Sequence, residues 1–341
     1  GGGYHMKKIF ILTFVATLFT TLLGCAKETA TSDDSTNTEK VYKVAVVKQL
    51  DHASLDEIAT AICDEFDAIS KEKGIVIDYG DVYSGQNDQT TLQQIGSQVM
   101  SDKVDVIVPI ATLAAQTMTV VSDGEVPVVF AAISDPEAAN LTDIDYVTGT
   151  SDALNTKQIM DMIFKVNPDT KKVGLLYSMS EANSKKPIEE AKQYLEEKGV
   201  EVVEATGNTD DEIKQAASSL IASHVDAVFT PTDNVVMSAE LAIAEDFMNA
   251  KIPHYTGADS FVRNGAFATC GVNYKELGKE TADLAYQVMT EGMDSIEYKN
   301  SYEVMPGGII TVNREVCEAL GIDANVFTEY GTVVEVDTSK E

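Results

Sequence analysis

The sequence predicts an α/β protein of two doubly wound, Rossmann-like lobes, each built on a parallel sheet, joined by a hinge of three crossovers. Three observations carry this reading. A strand–helix–strand–helix–strand pattern occurs twice. Its strands are near-continuous runs of β-branched or large apolar residues, the mark of strands covered on both faces. The chain has 341 residues, more than one hydrophobic core sustains.

The repeat lays Val41–Met118 over Lys172–Ala239. Its first strands are Val41–Val47 and Lys172–Tyr177. The helix after the first spans Ser54–Lys73, with Leu55, Ile58, Ile62, Phe66 and Ile69 at the three-to-four spacing of a buried stripe. Its counterpart spans Ser184–Lys198, and Gly74 and Gly199 stop the two helices in the same way. Second strands are Ile75–Tyr79 and Val200–Glu204, followed by helices over Thr91–Ser101 and Asp211–Ser223. Third strands are Val104–Val108 and Val225–Phe229, and a fourth pair is Val126–Phe130 and Ile252–Tyr255. Right-handed crossovers turn such alternation into doubly wound parallel sheets. Tyr146–Gly149 is expected to pass between lobes, Ala266–Gly271 to return, and Ile309–Val312 to cross back. Lobe one is then 41–148 plus 268–297, and lobe two is 149–267 plus 298–331.

Ligands of open parallel sheets bind beyond the carboxyl ends of the strands, where loops diverge and helix N-termini present free amides. Two such sheets facing one another define one cleft. The eight loops expected there are rich in Ser, Thr, Asn, Gln and Asp and nearly devoid of Lys and Arg, a composition suited to a zwitterion. Thr112 and Ser134 are candidates to hold a carboxylate, and Asp233 and Asp259 to offer an ammonium its negative charge. The competing reading is that these residues only cap helices. Tyr83, Tyr177, Phe130, Phe229, Phe261 and Tyr274 are aromatic candidates for stacking on a flat ligand. His52, His224 and His254 share no spacing with other ligand-type residues, so no metal site is expected.

The N-terminal end reads as an export signal. Gly1–His5 is set aside as foreign to the natural chain, and Met6 is followed by Lys7 and Lys8. Ile9–Leu23 is an uncharged, mostly apolar run of 15 residues, shorter than the ~20 that span a bilayer. Residues 6–24 are therefore expected to be a signal peptide. Leu22-Leu23-Gly24-Cys25 resembles the bacterial lipobox, which makes Cys25 the lipidated first residue of the mature protein. Residues 25–40 then form a polar tether, too poor in apolar side chains to fold. At this length it reaches about 20 Å as a flexible coil.

Without residues 1–24 the chain keeps 23 basic residues against 55 acidic, a net charge of −32. Such a field repels phosphate backbones, so no nucleic-acid partner is expected. Cys63, Cys270 and Cys317 sit in apolar patterns and read as core thiols rather than a disulfide framework. No nucleophile elbow, phosphate-cradling loop or dinucleotide fingerprint is present, so neither a cofactor nor an enzymatic role is expected.

Five segments carry a family resemblance: Asp51-His52-Ala53-Ser54-Leu55-Asp56, Val129–Pro136, Val147–Asp152, Glu181-Ala182-Asn183-Ser184 and Pro231-Thr232-Asp233-Asn234. Together they resemble the substrate-binding lipoproteins of ABC transporters with the type I periplasmic-binding-protein fold, related to tryptophan and tyrosine binders. The resemblance covers Val41–Tyr330. It implies an extracytoplasmic, membrane-anchored monomer that captures an amino acid, aromatic by class, through hinge closure and delivers it to an ABC permease. By position it points to Thr112 and Ser134 in lobe one, to Asn183, Ser184, Asp233, Asn234 and Asp259 in lobe two, and more weakly to Gln86 and Asn87. Ile110-Ala111-Thr112 departs from the family pattern, in which a glycine often precedes the threonine. A ligand-sensing regulator is opposed by the export signal and the lack of a DNA-binding head. A surface interaction protein with adhesive roles is the alternative that the tether permits.

Overall fold

A computed structural model describes residues 39–339. The first half runs β1 (Val41–Lys48), α1 (Ala53–Lys73), β2 (Val76–Asp78), β3 (Tyr83–Ser84), α2 (Gln89–Ser101), β4 (Val106–Ile110), α3 (Thr112–Ser122), β5 (Val128–Phe130) and β6 (Val147–Ser151). The second half runs α4 (Thr156–Val166), β7 (Lys172–Tyr177), α5 (Ala182–Glu197), β8 (Glu201–Thr206), α6 (Asp210–Ala222), β9 (Ala227–Thr230), α7 (Asn234–Asn249), β10 (His254–Thr256), α8 (Asp259–Arg263) and β11 (Ala268–Gly271). The tail adds α9 (Tyr274–Glu291), β12 (Glu303–Val304), β13 (Ile309–Asn313), α10 (Arg314–Leu320) and β14 (Val333–Val336).

These strands form two sheets. The first is ordered β12-β6-β5-β4-β1-β2, with β3 also on β1, and the second β14-β13-β11-β10-β9-β7-β8. Pairing is parallel except between β11 and β13. The apolar strand runs explain the burial: β4 and β5 have no exposed residue, because helices cover both faces. Helix α1 buries Leu55, Ile58, Ile62, Phe66 and Ile69, the stripe its periodicity predicts, and stops at Gly74 in the left-handed conformation. Helix α9 packs on α1 so closely that a Cβ on Gly278 would lie 2.7 Å from the Ala61 side chain and 2.8 Å from the Ile58 carbonyl oxygen.

The expected lobe boundaries at 148/149, 267/268 and 297/298 move. Strand β6 lies wholly in the first sheet, between β5 and β12, because its hydrogen bonds to β5 continue the parallel ladder. Strand β11 lies wholly in the second sheet, and β12 still belongs to the first. The chain therefore changes sheet three times, after β6, after β11 and after β12. Cys63, Cys270 and Cys317 are free thiols. Among the described residues no helix is long and apolar enough to cross a membrane. Cys25, the signal peptide and nearly all of the tether lie outside the described residues.

Candidate functional site

The carboxyl ends of both sheets face one cleft, and the lobes touch across it. His52, which caps α1 through Nδ1, donates from Nε2 to Asn234 Oδ1 at the start of α7, at 2.9 Å. The tautomer follows from the cap: Nδ1 accepts the Leu55 N–H, so the ring proton sits on Nε2. The Ser134 and Thr232 hydroxyls lie 2.5 Å apart, and the Ser54 hydroxyl meets that of Ser260. Each pair joins lobe one to lobe two, so the cleft is closed.

Inside the closed cleft lies a narrow cavity of about 30 Å³. Its polar lining is Ser54, Ser134, Asp152, Asn183, Thr232, Ser260 and Tyr274, and its apolar lining Leu55, Ile58, Ala111, Met237, Ala258 and Phe261. Asp152 and Asp233 are its acids, and no Lys or Arg lines it. Burial pushes the Asp152 carboxyl above the ordinary range, against hydrogen bonds from Tyr274 at 2.6 Å and Ser134 at 2.8 Å. Burial also holds the His52 imidazole below its ordinary value, so it is neutral at pH 7. Asn183 donates to the Thr232 carbonyl, while its buried Oδ1 has no hydrogen-bond partner among the described residues. An uncompensated buried carboxylate beside an orphaned carbonyl oxygen suits a cationic N–H donor. The hydroxyls of Ser54, Thr232 and Ser260 can donate to an anionic group.

Ala111 and Ala132 line this cavity with φ of 78° and 59°, where a Cβ is strained. Ala111 combines φ 78° with ψ 165°, a region that is essentially glycine's. The departure at Ile110-Ala111-Thr112 thus places an alanine where the backbone asks for glycine.

Comparison with known proteins decides the family. The model of the family described as ABC transporter substrate binding protein matches residues 43–327. The chain belongs to this family. It is 30% identical to the tyrosine-binding protein of Clostridioides difficile (strain R20291), over 83% of this chain and 84% of that protein. A Streptococcus pneumonia ABC domain solved in complex with L-Trp is 30% identical, with TM-score 0.74 over 85% of this chain and 100% of that one. The ligand-free, open structure of a Clostridium difficile substrate binding protein with adhesive properties is 29% identical, with TM-score 0.63 over 87% of this chain and 100% of that one. At equal sequence distance the fit is better to the liganded relative, in keeping with the interlobe hydrogen bonds above.

The substrate-binding cleft sorts the residues expected from sequence. Ser134, Asn183, Asp233 and Asn234 line the cavity. Ser184 lies behind it, donating to Asp233 Oδ2 at 2.7 Å. Thr112 and Asn87 instead line a second interlobe space. Gln86 is exposed in a turn with φ 53° and reaches neither space, because the left-handed turn carries it outward. Asp259 does not line the cavity; its Oδ2 pairs with Arg263 at 3.2 Å one helical turn on. Asp233 is at the cavity but fully occupied. It accepts from the amides of Val235, Val236 and Ser178 and from the Ser184 hydroxyl, the capping role that competed with ligand binding. Of the aromatic candidates, Phe261 and Tyr274 reach the cavity, whereas Phe130 and Phe229 are buried strand residues. Asp152 was missed. It follows β6 at a crossover, outside the eight loops at the strand ends.

Proposed function

We propose that this substrate-binding protein captures an amino acid with an aromatic side chain and serves an ABC importer from the extracytoplasmic face of the membrane. The observation that carries the reading is Asp152, a buried carboxylate without a basic partner, in a cavity lined by both hydroxyl and apolar side chains. The ligand ammonium lies against Asp152 and Asn183 Oδ1. Its carboxylate accepts from the hydroxyls of Ser54, Thr232 and Ser260, and its side chain packs on Leu55, Ile58 and Phe261. The named ligands of the two relatives, tyrosine and L-Trp, support the aromatic class. Closure requires the Ser134–Thr232 and His52–Asn234 contacts, so the hinge and not a lid encloses the ligand.

Cys25 carries the lipid anchor, 25–40 the tether, and the partner of the closed form is a membrane permease. A role in surface adhesion beside transport is favoured by the adhesive properties named for one relative. Calorimetric titration of residues 40–341, freed of carried ligand by unfolding and refolding, tests the reading. Saturable heat with tyrosine, tryptophan or phenylalanine and none with sugars is expected. Absence of heat with every amino acid from folded protein refutes the ligand class. Loss of detergent-phase partition in Cys25→Ala tests the anchor.

A further inference from the structure

Beneath the lobe-two side of the cleft runs a buried hydrogen-bond chain that touches no ligand group. Thr230, the last residue of β9, donates its hydroxyl proton to the Leu176 carbonyl oxygen of β7 at 2.8 Å. Its oxygen lies 2.8 Å from His254 Nε2 on β10, and His254 Nδ1 lies 2.9 Å from Glu240 Oε1 on α7. Thr230 and Glu240 are fully buried and His254 is 2% exposed, with the Phe247 ring packed 5.1 Å from the imidazole. The partners fix the protons. A hydroxyl has one proton and Leu176 takes it, so Thr230 accepts and His254 donates from Nε2. Two bare acceptors do not approach to 2.9 Å, so a second proton lies between Nδ1 and Oε1. The pair is net neutral wherever on that line the proton sits, which suits groups closed off from solvent. The other carboxyl oxygen of Glu240 has no hydrogen-bond partner among the described residues, so the chain ends there.

The strands joined in this way are the ones whose ends supply lobe two's share of the cavity. Asn183 follows β7, Thr232 and Asn234 follow β9, and Ala258 and Ser260 follow β10. Glu240 belongs to the helix that Asn234 begins, so the loop Pro231-Thr232-Asp233 is held at one end through Thr230 and at the other through Glu240. We infer that Thr230, His254 and Glu240 are positioning residues, whose chain fixes this loop against the ends of β7 and β10 and thereby sets where Thr232 and Asn234 meet the ligand and lobe one. Thr232 has to reach Ser134, and Asn234 has to reach His52, for the lobes to close. A buried polar chain contributes little net stability over apolar side chains of the same volume, because desolvation offsets its hydrogen bonds. Its contribution is direction, each bond fixing one strand end relative to the next. The inference rests on the cleft of the proposed function as the binding site but not on which ligand fills it.

Imidazole nitrogen–proton correlation spectra of the unaltered protein test the chain itself. His254 should carry a slowly exchanging proton on Nε2, and a bare Nε2 overturns the inference. Amide hydrogen exchange without ligand then reads the positioning inside lobe two. The Ser178, Val235 and Val236 amides all donate to Asp233, so their protection reports where the loop stands. Thr230→Val nearly keeps the shape and removes the acceptor. It should speed exchange at these amides about 10-fold, the equivalent of one neutral hydrogen bond, and leave amides in the middle of β7 and β9 unchanged. Thr230→Ser restores the hydroxyl and should restore the protection. Should Thr230→Val fail to fold, Glu240→Met frees the helix end of the loop and should act on the same amides, whereas Glu240→Gln, whose amide can donate to Nδ1, should not. The Kd for whichever aromatic amino acid binds should weaken about 10-fold in Thr230→Val and recover in Thr230→Ser. Unchanged exchange at the Asp233 donors in folded Thr230→Val, equal acceleration throughout lobe two, or a loss that Thr230→Ser does not repair each overturns the inference. The exchange series reads out even where no amino acid binds, so failure of the ligand assignment and failure of this inference are separable.

Discussion

Asp152→Asn tests the ligand geometry most directly. The exchange is nearly isosteric, and the asparagine oxygen can still accept from Tyr274, whose hydroxyl now lies 2.6 Å from Oδ2. The Ser134 hydroxyl, 2.8 Å from the other oxygen, can turn to accept from the new amide. Stability should therefore change by less than about 1 kcal/mol, within the range of one neutral hydrogen bond. Ligand binding loses a charge-assisted hydrogen bond worth roughly 1.5–3 kcal/mol. That converts to a Kd about 10- to 150-fold weaker. Calorimetry should compare tyrosine with 3-(4-hydroxyphenyl)propionate, which lacks the amino group. In the unaltered protein the desamino compound should bind at least as weakly as tyrosine binds to the variant. The variant should discriminate less between the two, because the cycle isolates the ammonium–carboxylate contact while Asn183 Oδ1 still accepts from the ammonium. Unchanged tyrosine affinity in folded Asp152→Asn would refute the assignment, and the ammonium would have to lie elsewhere in the cavity.

Other perturbations separate structural from binding roles. Ala111→Gly removes backbone strain of about 1–3 kcal/mol at a cost of about 0.5–1 kcal/mol in unfolded-chain entropy, so the urea midpoint should rise. Asp233→Ala strips the cap of α7 and orphans the Ser178 amide and the Ser184 hydroxyl, so stability should fall by about 3 kcal/mol or more in denaturant titration. The His52 imidazole is depressed by burial, so its cap on the Leu55 amide is intact above the ordinary value of 6.5 and lost as pH falls through the lowered value, whereas the Nε2–H bridge to Asn234 survives protonation. Stability should thus fall on acidification, read as a lower urea midpoint. His52→Asn keeps a capping side chain but is too short to bridge, and should flatten that part of the pH profile.

The fold was legible because its signals are local and repeated. The Leu55–Ile69 stripe, the Gly74 and Gly199 stops and the apolar strands each point to the same element, and the duplication fixes how they combine. The lobe boundaries were less so, because Val147–Ser151 reads as a crossing strand until its pairing partners on both sides are known. The site divides in the same way. Ser134, Asn183 and Asn234 follow from the rule that cleft residues sit after strands. Asp152 does not: it follows a strand that ends at the hinge, and nothing in its sequence neighbourhood says that Tyr274, more than a hundred residues on, will bury it. Asp259 looked equivalent to Asp233 in sequence, yet a partner one turn along, Arg263, draws its carboxylate aside.

Three acids lie between the lobes, and the number of donors each has already found separates their roles. Asp233 has four, enough to fill both oxygens, so further contact with a ligand would displace a bond the fold uses. Asp152 has two, both hydroxyls, which leaves room for the ammonium of a ligand in the adjoining cavity. Glu181 meets only neutral donors, from Asn234 and Gln49, and no cation. Closing the empty cleft drives the last two toward protonation, since burial without a cation disfavours the carboxylate. A ligand that brings an ammonium to Asp152 offsets this cost as the lobes meet. Selectivity for zwitterions and closure on binding are then one electrostatic requirement, set by carboxylates that water satisfies in the open cleft and that only a cation satisfies in the closed one.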